Sequence, residues 1–589
     1  MKRNGSRIMR TVLLAALFLS LVQCGYFKSQ MLGIEKPKHL VRVERNVMVP
    51  MRDGVRLATD IYFPVGVDKA PAILVRTPYG KGNALFPGLN KTANLFARRG
   101  YVYIVQDVRG RFKSGGEFYP FVNDGRDGHD MIDWIESRDW YNGNLGTWGA
   151  SYLGITQWMA CPGEDLSAMH TTVTSPNLKE VIYTNGELHL MTIYFWAMMM
   201  GEREFDMSVA PKLPKIEKYM RHLPLGKADD NMARDVDYFN HSLDPQKIWE
   251  LYETVNFDER YAEVSAPTVS VAGWYDMFVG PQLRDFERIM EEGRGAAKES
   301  VLIVGPWGHG ESGHAVDFGD VKRDEMFGEK HLLDWYDHWL KGRDNGVDDW
   351  PRVRIFVMGD NEWREEDEWP LARTEYVDYY LHSDGNANTR DGDGTLSTFL
   401  PGNEPPDKFV YDPLDPVPTK GGNNLGLNLG AYDQQEIEDR EDVLVYTTPV
   451  LEDDVEVTGY ISAVLYAKTD AVDTDFTVKL VDVWPDGKAV NIQDGVVRAM
   501  YRNNDPENPT PLTPGEVERY ELDLWATSNV FKKGHRIRVE VSSSNFPRFN
   551  RNLNTGVPPA TATKAVKADQ TVFHDAERPS RIVLPVIPR

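Results

Sequence analysis

Short apolar segments that alternate with helical patterns place the strongest limit on how this chain folds. The apolar segments lie at residues 72–76, 101–106, 145–149, 268–273 and 301–305, and helical patterns such as 131–137 and 152–160 lie between several of them. Strands rich in Val, Ile and Leu that alternate with helices are typical of a parallel sheet covered on both faces. The pattern therefore predicts an α/β domain.

Two segments depart from this alternation. Residues 176–261 are rich in Met, aromatic and charged residues at helical spacing, which predicts a helical cap inserted into the α/β domain. From residue 349 alternating strands dominate, for example at 353–357, 458–467, 477–482 and 535–541, and this predicts a β-sandwich. We therefore expect an α/β domain in two parts (38–175 and 262–348), the cap (176–261) and a C-terminal sandwich (349–589).

Charge and cysteine content exclude several classes of function. The formal net charge is -23 over 589 residues, and so acidic a surface repels phosphate backbones, which argues against a nucleic-acid partner. Only Cys24 and Cys161 are present, so no cysteine-based metal site is expected. If Cys24 is modified, Cys161 has no partner for an intramolecular disulfide.

The N-terminus has the pattern of an export signal. Four basic residues within the first ten positions precede an apolar stretch at 12–22. The following Leu-Val-Gln-Cys-Gly resembles a bacterial lipobox, in which Cys24 becomes the lipidated first residue, although Gln23 departs from the usual small residue. We expect residues 1–23 to be removed and the protein to be an exported lipoprotein of the periplasm or cell surface. Simple secretion and an uncleaved anchor remain the alternatives.

The sharpest chemical signal is GTWGASYLG at 146–154. A strand enters, small residues flank Ser151 and a helix leaves, as a nucleophile elbow requires. The second glycine, Gly154, stands one position later than in the common G-x-S-x-G pattern. The alternative interpretation of Ser151 is a simple helix N-cap.

A serine nucleophile needs a base and an acid at the ends of later strands, in the order Ser, Asp, His. TVSVAGWYD ends at Asp276 and SVLIVGPWGH ends at His309, so both residues occupy the required positions. His314 in the same loop is a rival base, and Asp276 has the alternative of being an ordinary loop acid. The expected chemistry is transfer of the Ser151 proton to His309, with Asp276 orienting the imidazole.

Acyl transfer also needs an oxyanion hole. The backbone N–H of Tyr152, which follows the nucleophile, supplies one donor by position. The phenol of Tyr79, in VRTPYGKG just after the 72–76 strand, is the second candidate. Packing of Tyr79 in a Pro-Gly turn is the alternative, which the spacing leaves open.

Several motifs together resemble one family. VRTPYGKG, QDVRGRFKSGG, GTWGASYLG, AGWYDMFVG and GPWGHG occur in the order found in the cocaine-esterase (CocE/NonD) branch of the Xaa-Pro dipeptidyl-peptidase superfamily. The segments RIFVMGDNEWREEDEWP and SSSNFPRFNRNLNTG resemble that family's C-terminal jelly roll. The resemblance covers nearly all of the chain after residue 40, and in this family the displaced second glycine is the usual pattern.

The resemblance implies an α/β-hydrolase domain with a helical cap and a C-terminal jelly roll. It also implies a Ser151, Asp276 and His309 triad, with an oxyanion hole formed by the Tyr79 phenol and the Tyr152 N–H. The expected reaction is hydrolysis of a small-molecule ester or amide without cofactor or metal. An Xaa-Pro dipeptidyl-peptidase and a non-catalytic surface binding protein are the alternatives.

The residues around Asp276 bear on the charge of the substrate. In relatives that hydrolyse α-amino-acid esters, acids at the second and third positions after the triad aspartate hold the substrate's ammonium group. Here these positions are Phe278 and Val279, and Asn185 aligns with a third family acid. We therefore expect an uncharged acyl group, with the aromatic and Met-rich stretch at 194–200 as a candidate wall or as plain core packing. Glu187, Glu202 and Glu204 in the cap are the remaining candidates for a distant charge.

Overall fold

A computed structural model describes residues 30–82, 88–205, 207–232, 235–253, 255–310, 314–426, 429–503, 505 and 508–589. The predicted signal segment 1–23 and the lipidation candidate Cys24 lie outside the described residues. Within the described part, no helix combines the length and apolar character needed to cross a membrane.

The helices of the described part follow the alternation seen in the sequence. In chain order they are α1 (Gly88–Ala97), α2 (Asp124–Glu136), α3 (Tyr152–Ala160), α4 (Leu178–Ile182), α5 (Leu190–Met200), α6 (Ile216–Met220), α7 (Asp237–Ser242), α8 (Pro245–Glu253), α9 (Val279–Glu292), α10 (Arg323–Phe327), α11 (Glu329–Lys341) and α12 (Gln435–Glu438). Short 3₁₀ turns occupy much of the remaining cap sequence, for example Met207–Lys215.

The described chain up to residue 366 builds one large sheet and a separate small hairpin. Its strands are β1 (Val41–Pro50), β2 (Arg56–Pro64), β3 (Ala70–Thr77), β4 (Val102–Asp107), β5 (Tyr141–Ala150), β6 (Ala168–Thr172), β7 (Tyr183–Thr184), β8 (Glu187–Leu188), β9 (Thr268–Tyr275), β10 (Val301–Gly308), β11 (Val353–Val357) and β12 (Glu362–Glu366). Among the described residues the sheet has ten strands in the order β1-β2-β4-β3-β5-β6-β9-β10-β11-β12, and β7 pairs with β8 alone.

The centre of this sheet is parallel, as the apolar runs predict. The run from β4 to β11 pairs in parallel, whereas β1, β2 and β12 pair antiparallel at the edges. Every residue of β3, β4, β9 and β10 is buried, because helices cover both faces. The carboxyl ends of parallel strands meet at one edge, so the residues that follow β5, β9 and β10 come together there.

The cap lies over that edge. Its segment runs from α4 through α8 and has its own apolar cluster, which includes Tyr194, Met198 and Phe239. The same cluster contains Met277 and Phe278 from the end of β9, and Ile155 from α3. Cap and α/β core are therefore packed together around the strand ends.

The C-terminal part is a β-sandwich. Its strands are β13 (Glu375–His382), β14 (Thr395–Ser397), β15 (Asp407–Tyr411), β16 (Leu444–Thr447), β17 (Val455–Thr469), β18 (Asp475–Val483), β19 (Ala489–Arg498), β20 (Glu518–Phe531), β21 (Arg536–Ser542), β22 (Ala568–Asp575), β23 (Arg578–Pro579) and β24 (Arg581–Ile587). They enclose a core of aliphatic and aromatic side chains such as Leu465, Phe476 and Leu522. A second apolar cluster, with Trp274 and Phe356 on one side and Val490 and Trp525 on the other, joins the sandwich to the α/β domain.

One strand differs from its expected place. The alternating pattern at 353–357 predicts the first strand of the sandwich, but β11 pairs in parallel with β10 and, with β12, extends the α/β sheet. Alternation by itself indicates only that one face of a strand is more polar than the other. An edge strand of an α/β sheet meets that condition as well as a sandwich strand does.

Candidate active site

Ser151, His309 and Asp276 form a continuous chain of hydrogen bonds at the carboxyl edge of the α/β sheet. The Nε2 atom of His309 lies 2.9 Å from Ser151 Oγ, and its Nδ1 atom lies 2.7 Å from Asp276 Oδ2. Asp276 is fully buried, whereas His309 retains 11% side-chain exposure. The three residues follow β5, β10 and β9, so strand order rather than sequence proximity brings them together.

The Ser151 backbone has the strained conformation of a nucleophile elbow. Its φ is 57° and its ψ is -127°, in a region that non-glycine residues rarely occupy. A Cβ atom on Gly149 would lie 2.4 Å from Leu153 Cβ, and one on Gly154 would lie 2.3 Å from Thr174 Cγ2. Both glycines are therefore required for close packing, which explains physically why the second glycine stands at position 154.

The acid is held by its own turn. The N–H of Phe278 donates to Asp276 Oδ1 at 2.8 Å, which leaves Oδ2 for the imidazole. A carboxylate whose second oxygen accepts a backbone N–H has one preferred orientation. The ring of Phe278 in turn packs 5.4 Å from the ring of His309.

Two donors face the region in front of Ser151. The Tyr79 phenol hydrogen-bonds the Ser151 side chain and accepts a hydrogen bond from Trp196 Nε1 at 3.3 Å. Burial raises the pKa of Tyr79, so the phenol is protonated and able to donate at neutral pH. The N–H of Tyr152 is the first of helix α3, and such an N–H has no partner within its own helix.

The side chain of Tyr152 has a separate role. Its hydroxyl donates to Asp124 Oδ2 at 2.7 Å and accepts the N–H of Phe121 at 2.9 Å. Its ring stacks on Phe121 at 4.7 Å and on Trp196 at 5.9 Å. Tyr152, which presents the backbone donor, is therefore held through both its hydroxyl and its ring.

An apolar pocket opens onto Ser151. Its described lining is dominated by aromatic and aliphatic side chains: Tyr79, Pro120, Phe121, Tyr152, Ile155, Leu178, Val181, Ile182, Ile193, Trp196, Tyr238, Tyr252, Met277, Phe278 and Leu425, with Ser151, Thr192, Ser242 and His309 as the other members. None of these described lining residues is Asp, Glu, Lys or Arg. An ammonium group in this pocket would lose its hydration without a facing carboxylate.

The structure separates His309 from the rival base His314. The Nδ1 atom of His314 accepts the N–H of Ala431 at 3.0 Å, and burial lowers the pKa of this histidine to about 4. His309, by contrast, contacts both Ser151 and Asp276.

The candidate charges of the cap are not among the described lining residues of the pocket. Glu187 is fully buried in an ion pair with Arg498 of β19, and Asn185 donates to the carbonyl of Val496. Glu202 and Glu204 are exposed. Within the aromatic stretch at 194–200, Trp196 lines the pocket, whereas Tyr194 packs in the cap core and donates to the carbonyl of Ala228.

Three contributors to the site lack a clear signal in the sequence. Asp124 lies at the start of α2 and contacts Tyr152 across 28 positions, and Leu425 enters the pocket from the C-terminal domain. Arg111 donates to the carbonyls of Pro78 and Met200 at 3.0 and 2.9 Å, so it ties the Tyr79 loop to the cap. The QDVRGRFKSGG segment, which resembles a family motif, is the one hint at Arg111, and it indicates no role.

Comparison with known families covers both main parts of the chain. A family model described as X-Pro dipeptidyl-peptidase (S15 family) matches residues 53–311. A second, described as X-Pro dipeptidyl-peptidase C-terminal non-catalytic domain, matches residues 345–583. The second description fits the placement of Ser151, Asp276 and His309, all of which precede residue 345.

Relatives extend the similarity over the whole length. A cocaine esterase of Rhodococcus sp. (strain MB1 Bresler) is 40% identical over 575 residues, which cover 93% of this chain and 99% of that protein. The crystal structure of an aminopeptidase from a marine sediment archaeon, Thaumarchaeota archaeon, has a TM-score of 0.78 at 26% identity and covers 94% of this chain and 97% of its own. A selenomethionine-labelled α-amino acid ester hydrolase has a TM-score of 0.76 at 25% identity, with 93% and 96% covered.

Proposed function

We propose that this chain, which belongs to the CocE/NonD branch of the X-Pro dipeptidyl-peptidase (S15) family, hydrolyses esters of an uncharged acyl group through an acyl-enzyme on Ser151. Membership makes it a serine hydrolase of α/β-hydrolase fold with a C-terminal β-sandwich, and its relatives include a named esterase. The observation that carries the finer proposal is the Ser151–His309–Asp276 hydrogen-bond chain at the base of a pocket whose described lining has no ionic side chain.

The first chemical step is attack by Ser151 Oγ on the ester carbonyl carbon. His309 Nε2, 2.9 Å from Oγ, accepts the hydroxyl proton as the new C–O bond forms. Asp276 accepts the hydrogen bond from His309 Nδ1 and stabilises the imidazolium that results. The imidazolium then returns its proton to the leaving alkoxide.

The tetrahedral intermediate places negative charge on the former carbonyl oxygen. The Tyr79 phenol and the Tyr152 N–H are the donors proposed to stabilise it. A phenol suits this task because it is neutral in the resting enzyme, and the Trp196 bond to its oxygen leaves its O–H available as a donor. Water activated by His309 then hydrolyses the acyl-enzyme by the reverse sequence of proton transfers.

The pocket lining supports the choice of acyl group. The aromatic side chains of Phe121, Trp196 and Phe278 suit a planar apolar acyl group. Binding removes the apolar surface of that group from water, which favours the complex through the hydrophobic effect. An Xaa-Pro dipeptide substrate carries an N-terminal ammonium, for which the described lining provides no carboxylate. The dipeptidyl-peptidase alternative therefore ranks second.

Paired kinetics test the proposal. A phenylacetate ester, its α-amino analogue (a phenylglycine ester) and an Xaa-Pro anilide are compared at a pH where the amines are protonated. We expect the highest kcat/KM for the phenylacetate ester, with all three activities absent in Ser151→Ala. Faster hydrolysis of the α-amino ester or the anilide by the wild-type enzyme would show that the pocket accepts the ammonium group.

A further inference from the structure

The acid turn at Asp276 begins where the regular sheet ends. Strand β6 pairs with β9 only as far as Val271, and the pairing of β10 with β9 loses its register between Gly305 and Gly308. The carbonyls of Trp274 and Asp276 therefore lie beyond the regular ladder, yet both residues are fully buried. Buried carbonyls require donors, and here side-chain donors come from the C-terminal domain.

Asn423 supplies two of these donors. Its Nδ2 lies 2.8 Å from the carbonyl oxygen of Trp274 and 3.0 Å from that of Asp276. Gln493 of β19 adds a third bond, from Nε2 to the Trp274 carbonyl at 3.0 Å. Asn423 lies in the long connection between β15 and β16 of the C-terminal domain and is itself fully buried.

Tyr275, which lies between these two positions, also donates from its hydroxyl to the carbonyl of Asn491 at 3.2 Å, whereas the following backbone bonds are internal to the turn. The N–H of Asp276 donates to the carbonyl of Gly273 at 2.9 Å, and the N–H of Val279 donates to that of Asp276 at 3.2 Å. These bonds shape the turn but do not fix its position against neighbouring domains. The Asn423 bonds help to fix that position, because they join the carbonyls of Trp274 and Asp276, on either side of Tyr275, to the sandwich.

We infer that Asn423 is a positioning residue for the triad acid, so that the C-terminal domain takes part in catalysis by holding Asp276 in register with His309. The inference rests on the proposed role of Asp276. The Oδ2–Nδ1 distance of 2.7 Å leaves little room for movement of the turn, because a displacement of about 1 Å lengthens this bond beyond hydrogen-bonding range. A misplacement of that size in a catalytic group costs up to roughly 100-fold in rate.

The test replaces the amide by an apolar side chain of the same branched shape. Asn423→Leu should lower kcat for the phenylacetate ester by roughly 10- to 100-fold, with KM within about threefold of wild type, because the pocket lining is unchanged. Asn423→Ser, which is smaller and keeps one donor, should have a kcat between those of wild type and Asn423→Leu. If the leucine variant does not fold, the rate of fluorophosphonate labelling of the folded fraction of Asn423→Ser is the measurement that tests the inference.

The matched control is Asn552→Leu. Asn552 is also a buried amide of the C-terminal domain, but its Nδ2 donates to Asp473 and Asp475 at 2.8 Å each. We expect this variant to lose thermal stability while the kcat of the folded enzyme stays near wild type. An equal loss of kcat in Asn552→Leu would mean that any damage to the sandwich lowers the rate, and would overturn the positioning role.

A double-mutant cycle separates this inference from the proposed triad. In an Asp276→Asn background, Asn423→Leu should cost less than threefold further in kcat, because the residue acts through the acid that is already impaired. A full additional loss in that background would show that Asn423 acts independently of Asp276. If Asp276→Asn itself leaves kcat unchanged, the proposed triad fails instead. If Asp276→Asn lowers kcat but Asn423→Leu has the kcat of wild type, the triad proposal stands and only the positioning role of Asn423 is overturned.

Discussion

The indole Nε1 of Trp196 donates a hydrogen bond to the phenol oxygen of Tyr79 at 3.3 Å. Trp196 belongs to cap helix α5, whereas Tyr79 follows strand β3 of the α/β domain. The bond occupies a lone pair of the phenol and leaves its O–H available as a donor. The cap therefore contacts the candidate oxyanion donor as well as forming part of the wall of the pocket.

Removal of the Tyr79 hydroxyl tests the oxyanion role of the phenol. Tyr79→Phe should lower kcat by about 10²–10³ with little change in KM, because the donor stabilises charge that develops only in the transition state. Steady-state kinetics on a neutral ester measure both constants. Tyr103→Phe, which removes another buried phenol within the same sheet, is the control and should remain near wild type. A kcat within threefold of wild type for Tyr79→Phe would assign the phenol a structural role.

Removal of the Ser151 hydroxyl tests the nucleophile. Ser151→Ala should lower kcat by several orders of magnitude and abolish fluorophosphonate labelling, since the variant lacks the hydroxyl on which the acyl-enzyme is proposed to form. Circular dichroism should be unchanged, because alanine fits the same turn. Ser137→Ala, at an exposed serine that follows α2, should label normally. Labelling that persists in Ser151→Ala would exclude this serine as the nucleophile.

Asp124 predicts a pH dependence of stability. Burial, opposed by the nearby Arg76 guanidinium and the Tyr152 hydrogen bond, raises the pKa of Asp124 to about 6. The folded state therefore holds this proton up to a higher pH than the unfolded chain, whose carboxyl titrates near 3.9. The contribution of this proton to the free energy of unfolding is fully present below pH 4. It is lost as pH rises through 6, and the loss amounts to about 3 kcal/mol.

Asp124→Asn removes this titration while keeping an acceptor for Tyr152. Relative to wild type, the variant should gain stability between pH 4.5 and 7.5, measured as the difference between the two thermal midpoints at each pH. Asp53→Asn is the control, because that carboxylate is exposed and the Arg109 hydrogen bond lowers its pKa. A midpoint difference for Asp124→Asn that is independent of pH would mean that Asp124 is ionised throughout the range.

Export and lipidation of Cys24 stay predictions from the sequence. If Cys24 carries the lipid, the wild-type protein should partition with membranes, and Cys24→Ser should appear in the soluble fraction. Cys161→Ala is the matched control, since Cys161 is the other cysteine and is buried next to α3. A wild-type protein that is soluble and processed at another position would favour ordinary secretion.

The parallel sheet and the candidate site residues could be predicted from local sequence. The buried runs of β3, β4, β9 and β10 require two covered faces, and this property depends on composition over a few residues. Ser151, Asp276 and His309 were predictable because each directly follows a strand, and parallel strands deliver their carboxyl ends to a common edge. The structure brings these three side chains within hydrogen-bonding distance, while their catalytic roles stay predictions.

The sequence alone determined the type of the central strands, of several helices between them, and the order of the candidate catalytic residues along the chain. Tertiary structure decided which distant groups meet. The membership of β11 in the first sheet, the contact of Asp124 with Tyr152, and the two bonds from Asn423 to the acid turn all join residues far apart in sequence. Such contacts depend on how domains pack, and no local periodicity records them, because a buried amide or carboxylate has the same sequence signature whichever partner satisfies it.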